Sequence, residues 1–236
     1  MRTLSQADML SLWEHGLSQD SLQRTVTMLR LAGSEQPEQL AVGESERHLL
    51  ELRHALFGPE ISAVAHCPEC NAALELNFTV ADVMAEPGPS SEQVAFRIGE
   101  YEVSVRVLKL QDLKDARDAK PGDIQRFLLE RCVVGVNRGG REVGALPEEL
   151  VPALSQRMSE ADPQAETRLT LHCAECRHLW SDDFEIEPFI WAELQAWASR
   201  TFVEVHQLAV AYGWSEQQVL SLSPIRRNIY LNLATE

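Results

Sequence analysis

Four of the chain's five cysteines fall into two pairs, Cys67-Pro68-Glu69-Cys70 and Cys173-Ala174-Glu175-Cys176, and no other feature restricts the fold as tightly. A histidine precedes each pair (His66, His172), and each pair is entered from a strand-like approach and left into alternating apolar residues. Two residues between cysteines let the amides of a tight turn point at the sulfurs while both thiolates face one side. Two such turns facing each other make a closed tetrahedral site, with sulfurs about 2.3 Å from the ion. Soft thiolates in a closed set suit zinc. One structural Zn2+ per chain, held by Cys67, Cys70, Cys173 and Cys176, is the expectation. A disulfide or an iron–sulfur cluster are the competing uses. About a hundred residues separate the pairs, against roughly 15–20 in compact ribbons. The spacing therefore predicts a ribbon split by an inserted unit, with the strands at 74–80, 167–171 and 184–187 in one small sheet.

The segments around the pairs alternate in character. Ser5 is placed to cap a helix carrying Met9, Leu10, Leu12 and Trp13. Ser21–Leu31 and 44–56 have helical apolar spacing, the second stopping at Phe57-Gly58-Pro59. Leu74, Leu76, Phe78 and Val80 alternate as a strand, and 84–93, with Pro87-Gly88-Pro89, forms a loop. Val94, Phe96 and Ile98, then Gly99-Glu100, then Tyr101, Val103, Val105 and Val107 predict a hairpin. Asp112, Asp115 and Asp118 alternate with Lys114 and Arg117 as an exposed polar segment. The spacing predicts a helix over 123–136, a turn at Arg138-Gly139-Gly140-Arg141, and a helix over 147–159 with Pro at its first position. Leu169 and Leu171 alternate before the second pair, Phe184 and Ile186 after it. From Phe189 a broad apolar stripe runs to Gly213, Ser215 caps a short helix, and Ser223-Pro224 opens another ending near Leu233.

Charge narrows the function classes. The net charge is −15, and no part is basic: residues 1–66 carry 5 cations and 9 anions, 67–187 carry 13 and 23, and 188–236 carry 3 and 4. Phosphate binding depends on clustered cations, so nucleic acid is not an expected partner. No run is long and apolar enough for a membrane span, and residues 1–12 lack the apolar core of a secretory signal. That predicts a cytoplasmic chain and makes disulfides the weaker use of the paired cysteines. Cys132, inside an apolar run, is expected to be a small buried hydrophobe. His66, His172 and His178 are expected at the surface rather than as ligands, since four sulfurs saturate the ion, and Glu69 and Glu175 as solvated turn tips. There is no GxxxxGK[ST], GxGxxG, GxSxG or HExxH, so no enzyme is expected.

The C-terminal part is the most distinctive after the cysteines. Tyr212-Gly213-Trp214-Ser215-Glu216, then Leu220, Pro224, Arg226-Arg227 and Tyr230-Leu231, occur in one chain with both CxxC turns and with Glu46-Arg47-His48-Leu49-Leu50-Glu51-Leu52-Arg53. This combination resembles the phage T4-type baseplate protein family, which includes baseplate-hub assembly chaperones of contractile-tailed phages and phage-tail-like injection systems. The resemblance spans about residues 10–233. It implies no catalytic residues. It implies a chaperone or structural component of a contractile-tail baseplate, partnered by other baseplate or tail proteins, cytoplasmic during assembly or part of the particle. Trp197, Trp214, Arg227 and Tyr230 are the candidate partner-binding residues, because one helix stripe does not bury every aromatic between 189 and 233.

The expected architecture is α+β, in four parts. Residues 1–60 form an N-terminal helical segment, and 61–83 with 166–187 a split zinc ribbon whose two CxxC knuckles sit on a small antiparallel sheet. Residues 84–165 form a strand-rich α+β insertion, and 188–236 a C-terminal helical bundle. The alternative function is a zinc-ribbon nucleic-acid-binding or transcription-associated protein, and a third is a zinc hydrolase. The first needs a basic face and the second an open coordination position.

Overall fold

A computed structural model describes residues 4–86, 93–118 and 123–234. The fold is α+β: helices at the N-terminus, small antiparallel sheets in the middle, and helices at the C-terminus. It divides into two compact units, Met1–Met28 with Ile186–Glu236, and Leu29–Glu185. The expected loop over 84–93 falls largely on 87–92, which lie outside the described residues.

The first unit is helical. In α1 (Gln6–Gly16), the Ser5 hydroxyl accepts from Asp8 N–H at 3.1 Å and the Asp8 carboxylate accepts from Ser5 N–H at 2.9 Å. This reciprocal cap satisfies two amides that the first turn leaves unpaired. α2 (Ser21–Leu31) begins in this unit and meets α8 (Ile186–Tyr212) through Glu187. Glu187 is buried, accepts from Arg24 Nε at 2.6 Å and from the Ser21 hydroxyl. α8 buries Ile186, Ile190, Leu194, Ala198, Thr201 and Leu208, positions three, four or seven apart along one face. Trp13 meets Phe202 edge-on at 5.4 Å, and Gly16 lies so near Trp191 that a Cβ there would be 2.4 Å from the ring. Gly213, at φ 68°, ends α8 in a conformation that costs a glycine little. Ser215 caps α9 (Glu216–Leu220), and α10 (Pro224–Ala234) closes the unit.

Among the described residues, the strands all lie in the second unit. α3 (Val42–Phe57) stops at Gly58, φ 90°, as its stop signal predicts. β1 (Glu60–His66) pairs antiparallel with β2 (Ala73–Thr79), and β7 (Arg168–His172) with β8 (Leu179–Asp183). These are two separate two-stranded hairpins, whereas the sequence suggested one shared sheet. The reason is local: only six residues separate His172 from the start of β8, so each cysteine turn is the tip of its own hairpin. β8 accordingly ends at Asp183, and Ile186 opens α8 instead of continuing a strand. Val80, expected to extend β2, opens the single-turn helix α4 (Val80–Val83), which Thr79 and Asp82 cap.

Between the hairpins a four-stranded sheet has the order β3 (Gln93–Ile98), β4 (Tyr101–Arg106), β5 (Val133–Arg138), β6 (Arg141–Glu142). Gly99, at φ 59°, makes the β3–β4 turn, and Gly139 and Gly140, at φ 56° and 80°, make the β5–β6 turn at the predicted place. The inner faces of β4 and β5 bury Tyr101, Val103, Val105 and Val136 against Leu129, Leu146, Leu150 and Leu154. The last three lie along a stretch that ends in α7 (Val151–Ala161). Pro147 caps a 3-10 turn at Glu148–Leu150 instead of opening the predicted helix directly.

One expectation fails here and another holds only in part, each for a physical reason. The helix predicted over 123–136 is α6 (Ile124–Cys132), and the chain then turns into β5. Val133 and Val136 are β-branched and pair with Val105 and Val103 on the edge of β4, which outweighs a helical period that Leu129 and Cys132 satisfy alone. The polar run from Asp112 is exposed only in part: it lies in α5 (Leu110–Asp115) and a 3-10 turn (Ala116–Asp118), where Lys114 and Arg117 are exposed but Asp112 is 2% exposed. Arg106 reaches both Asp112 oxygens at 2.6 and 2.8 Å, and Arg131 Nε donates at 2.9 Å. The partners come from outside the run, so local charge alternation could not disclose the burial.

Candidate metal centre

The two cysteine turns have the same backbone. Cys67 N–H donates to the Ala72 carbonyl at 3.0 Å and Asn71 N–H to the Cys67 carbonyl at 2.9 Å. Cys173 N–H donates to His178 at 2.9 Å and Arg177 N–H to Cys173 at 3.0 Å. Asn71 and Arg177 hold the same place, one residue past the second cysteine, and both are left-handed, at φ 58° and 63°. That reversal closes each six-residue loop onto strands already in register, His66 with Ala73 and His172 with Leu179.

The hairpins bring all four sulfurs together within 4.8 Å of one another, and two contacts cross from one turn to the other. Cys67 Sγ is 3.6 Å from Cys176 Sγ, and Cys70 Sγ is 3.6 Å from Cys173 Sγ. Sulfurs about 2.3 Å from a common ion would stand about 3.8 Å apart at tetrahedral angles. The cluster therefore fits a single metal ion bound by four thiolates. Cys67 and Cys173 are buried, while Cys70 and Cys176 face solvent, so each turn contributes one inner and one outer sulfur. The amides of Cys176 and Glu175 favour the thiolate of Cys173 and hold it down at about 7. Cys176, despite the His178 amide, is pushed up to about 12 by the partial desolvation of its sulfur within the cluster and by its sulfur neighbours. Four thiolates crowded together repel one another unless a cation lies between them, which is what such a donor set is suited to supply a place for.

The far ends of the hairpins are also joined. Phe78, opposite Ile61 near the base of the first, meets Phe184 just beyond the second, edge-on at 5.4 Å. This contact escaped sequence reasoning, although both phenylalanines stood in the strand patterns. The left-handed positions were legible in hindsight, since Asn71 and Arg177 share one offset from their cysteines. His66 and His172 are exposed, and His178 stacks on Trp180 at 5.9 Å. Glu69 and Glu175 are exposed at the turn tips. Cys132 is not part of the cluster: it is fully buried, and burial pushes its thiol up to about 11.

The C-terminal residues singled out by sequence occupy different environments. Trp197 is half-buried on α8. Trp214 stacks on Tyr212 at 4.8 Å and meets Tyr230 edge-on at 4.9 Å, so these aromatics pack on one another. Arg227 is 5% exposed, pairs with Glu204 at 2.8 Å and donates to Gln6 at 2.5 Å. Among the described residues, no helix is long and apolar enough to cross a membrane.

Fold and site together define an α+β chain with a four-cysteine centre able to hold a metal ion. In comparisons with known proteins, no family model, no curated protein and no solved structure matches it.

Proposed function

We propose that the protein is a non-enzymatic assembly factor or structural component of a contractile-tail or injection-system baseplate, and that a structural zinc ion staples its fold. The observation that carries the metal reading is the convergence of four cysteine sulfurs from two matched hairpins. All four tetrahedral positions are taken by cysteine, which leaves none for a substrate or a reactive water. The zinc fixes two hairpins separated in sequence by the whole inserted sheet, and thereby holds the insertion at both of its ends. What supports the baseplate reading is the resemblance carried by the Tyr212–Leu231 segment and the cysteine turns, together with an acidic chain suited to protein rather than phosphate partners.

Two measurements test this reading separately. Elemental analysis and X-ray absorption of freshly purified, reduced protein should give one zinc per chain with four sulfur ligands. Less than about half an equivalent, or a nitrogen in the first shell, would sink the metal part. Pull-down with purified baseplate and tail proteins, and a search for the chain in mature particles, test the assembly part and separate chaperone from permanent component. A salt-sensitive, sub-micromolar shift of duplex DNA would favour the nucleic-acid alternative instead, since such affinity requires released counterions.

A further inference from the structure

The inner face of α10 is occupied: Arg227 pairs with Glu204, Tyr230 packs on Trp214, and Leu231 and Ala234 are half-buried. Its outer face is apolar and open. Ile225, Ile229 and Leu233 are 77%, 53% and 55% exposed, and their spacing of four residues aligns them on one side of the helix. Isolated exposed apolar residues are ordinary, but three in a row on one helix are an uncovered seam.

Two features of the seam point to its occupant. The first is its symmetry. Ile229 lies midway between Ile225 and Leu233, so the stripe is complementary to itself when a second α10 approaches antiparallel. Ile229 then meets the partner's Ile229 on the twofold axis, and Ile225 meets the partner's Leu233. Arg226 falls opposite the partner's Asn232, so the axis brings no like charges face to face. The second feature is charge. From Gln217 to Ala234 the chain has two arginines and no acidic side chain, in a molecule of net charge −15. One of those arginines is neutralised by Glu204. A second copy is repelled by most of this protein, and α10, which carries no carboxylate of its own, is the part it meets with least of that repulsion.

We infer that α10 is a self-association surface, at which two copies of this chain pair antiparallel about Ile229. The seam spans about 12 Å of helix, so the dimer belongs among small, weak interfaces. It forms at the high local concentration of an assembly site and dissociates on dilution. This inference does not depend on the metal or on the baseplate reading.

Sedimentation velocity over a wide concentration range tests it, with the zinc-loaded full chain throughout. The wild type should show a monomer–dimer equilibrium. Ile229→Asp should weaken it by about tenfold or more, because two carboxylates would meet at the desolvated centre. Val64→Asp, at an exposed apolar site on β1, should leave it unchanged. Added salt should tighten the dimer, since screening relieves the repulsion between two acidic chains. A wild type that is monomeric at every concentration overturns the inference. So does a dimer that Ile229→Asp and Leu233→Asp both leave intact while circular dichroism and zinc content show native protein. Monomers that instead bind phosphatidylcholine vesicles through Ile225, Ile229 and Leu233 would assign the seam to a lipid surface and overturn it equally.

Discussion

Asp112 shows how much one side chain can organise here. Burial opposes its charge, but Arg106, the Lys109 amide and Arg131 outweigh that cost and hold the carboxyl down at about 2, against an ordinary 3.8. A depressed carboxyl stabilises the fold above its unfolded value, and that stability is lost as pH falls from about 4 toward 2. The difference corresponds to about 2 kcal/mol at neutral pH. Asp112→Asn should cost a similar amount and flatten the dependence of stability on pH between about 2 and 4, as denaturant titrations at several pH values would reveal. An unchanged acid limb in the variant would show that other carboxyls govern it. Cys132 makes a second test at this scale. Fully buried and raised to about 11, it should resist alkylation in the native protein and react only on unfolding, which peptide mapping by mass spectrometry can follow. Gly43 gives a third. A Cβ there would come within 1.8 Å of Asp162 Oδ1, while the Gly43 amide donates to Asp162 Oδ2 at 2.9 Å. Gly43→Ala must displace that carboxylate, and a loss of about 1–3 kcal/mol in chemical denaturation is expected.

Among the elements, the paired turns are the most sensitive to their exact residues. Each closes through one left-handed residue, Asn71 or Arg177. Asparagine tolerates that region, and arginine occupies it at a cost of about 1 kcal/mol. Arg177→Gly should therefore preserve the turn and raise stability slightly, whereas Asn71→Val should lower it by about 1–2 kcal/mol, because a β-branched side chain is strained there. Thermal melts of both variants, with zinc content measured alongside, decide the point. If Asn71→Val melts with the wild type, the left-handed turn is not what shapes the site. The same turns explain why the hairpins were only partly legible. CxxC fixed where each chain reversal lies, but the apolar alternation after each pair could not say whether the strands share a sheet. Strand pairing depends on which edges meet in space, and each turn is short enough to pair its own two strands first.

For the whole molecule the cysteine centre is the long-range constraint. It closes a loop of about a hundred residues, and structural zinc contributes on the order of 10 kcal/mol in small modules. Cys67→Ser or Cys173→Ser should lower the melting temperature far more than an exposed change such as Val64→Ser, and a strong chelator should reproduce the loss reversibly. Melting of Cys67→Ser together with the wild type would show that the sulfurs do not carry this constraint.

The sequence by itself determined the cysteine turns, the capped helix starts at Ser5 and Ser215, the glycine reversals at Gly58, Gly99 and Gly213, and the α+β class. Each is set by groups within a few residues of one another, where a missing donor, a left-handed φ or an apolar period leaves a local trace. Only the tertiary structure decided the rest. The strand from Val133 exists because β4 offers an unpaired edge, the buried carboxylate of Asp112 because Arg106 and Arg131 arrive from two other elements, and the Phe78–Phe184 contact because two hairpins meet. The inward turn of Arg227 and the outward seam of Ile225, Ile229 and Leu233 likewise follow from where α10 lies against α8. A helical period marks an apolar residue without saying which face finds cover, because burial is a property of the neighbours, and they are distant in the chain.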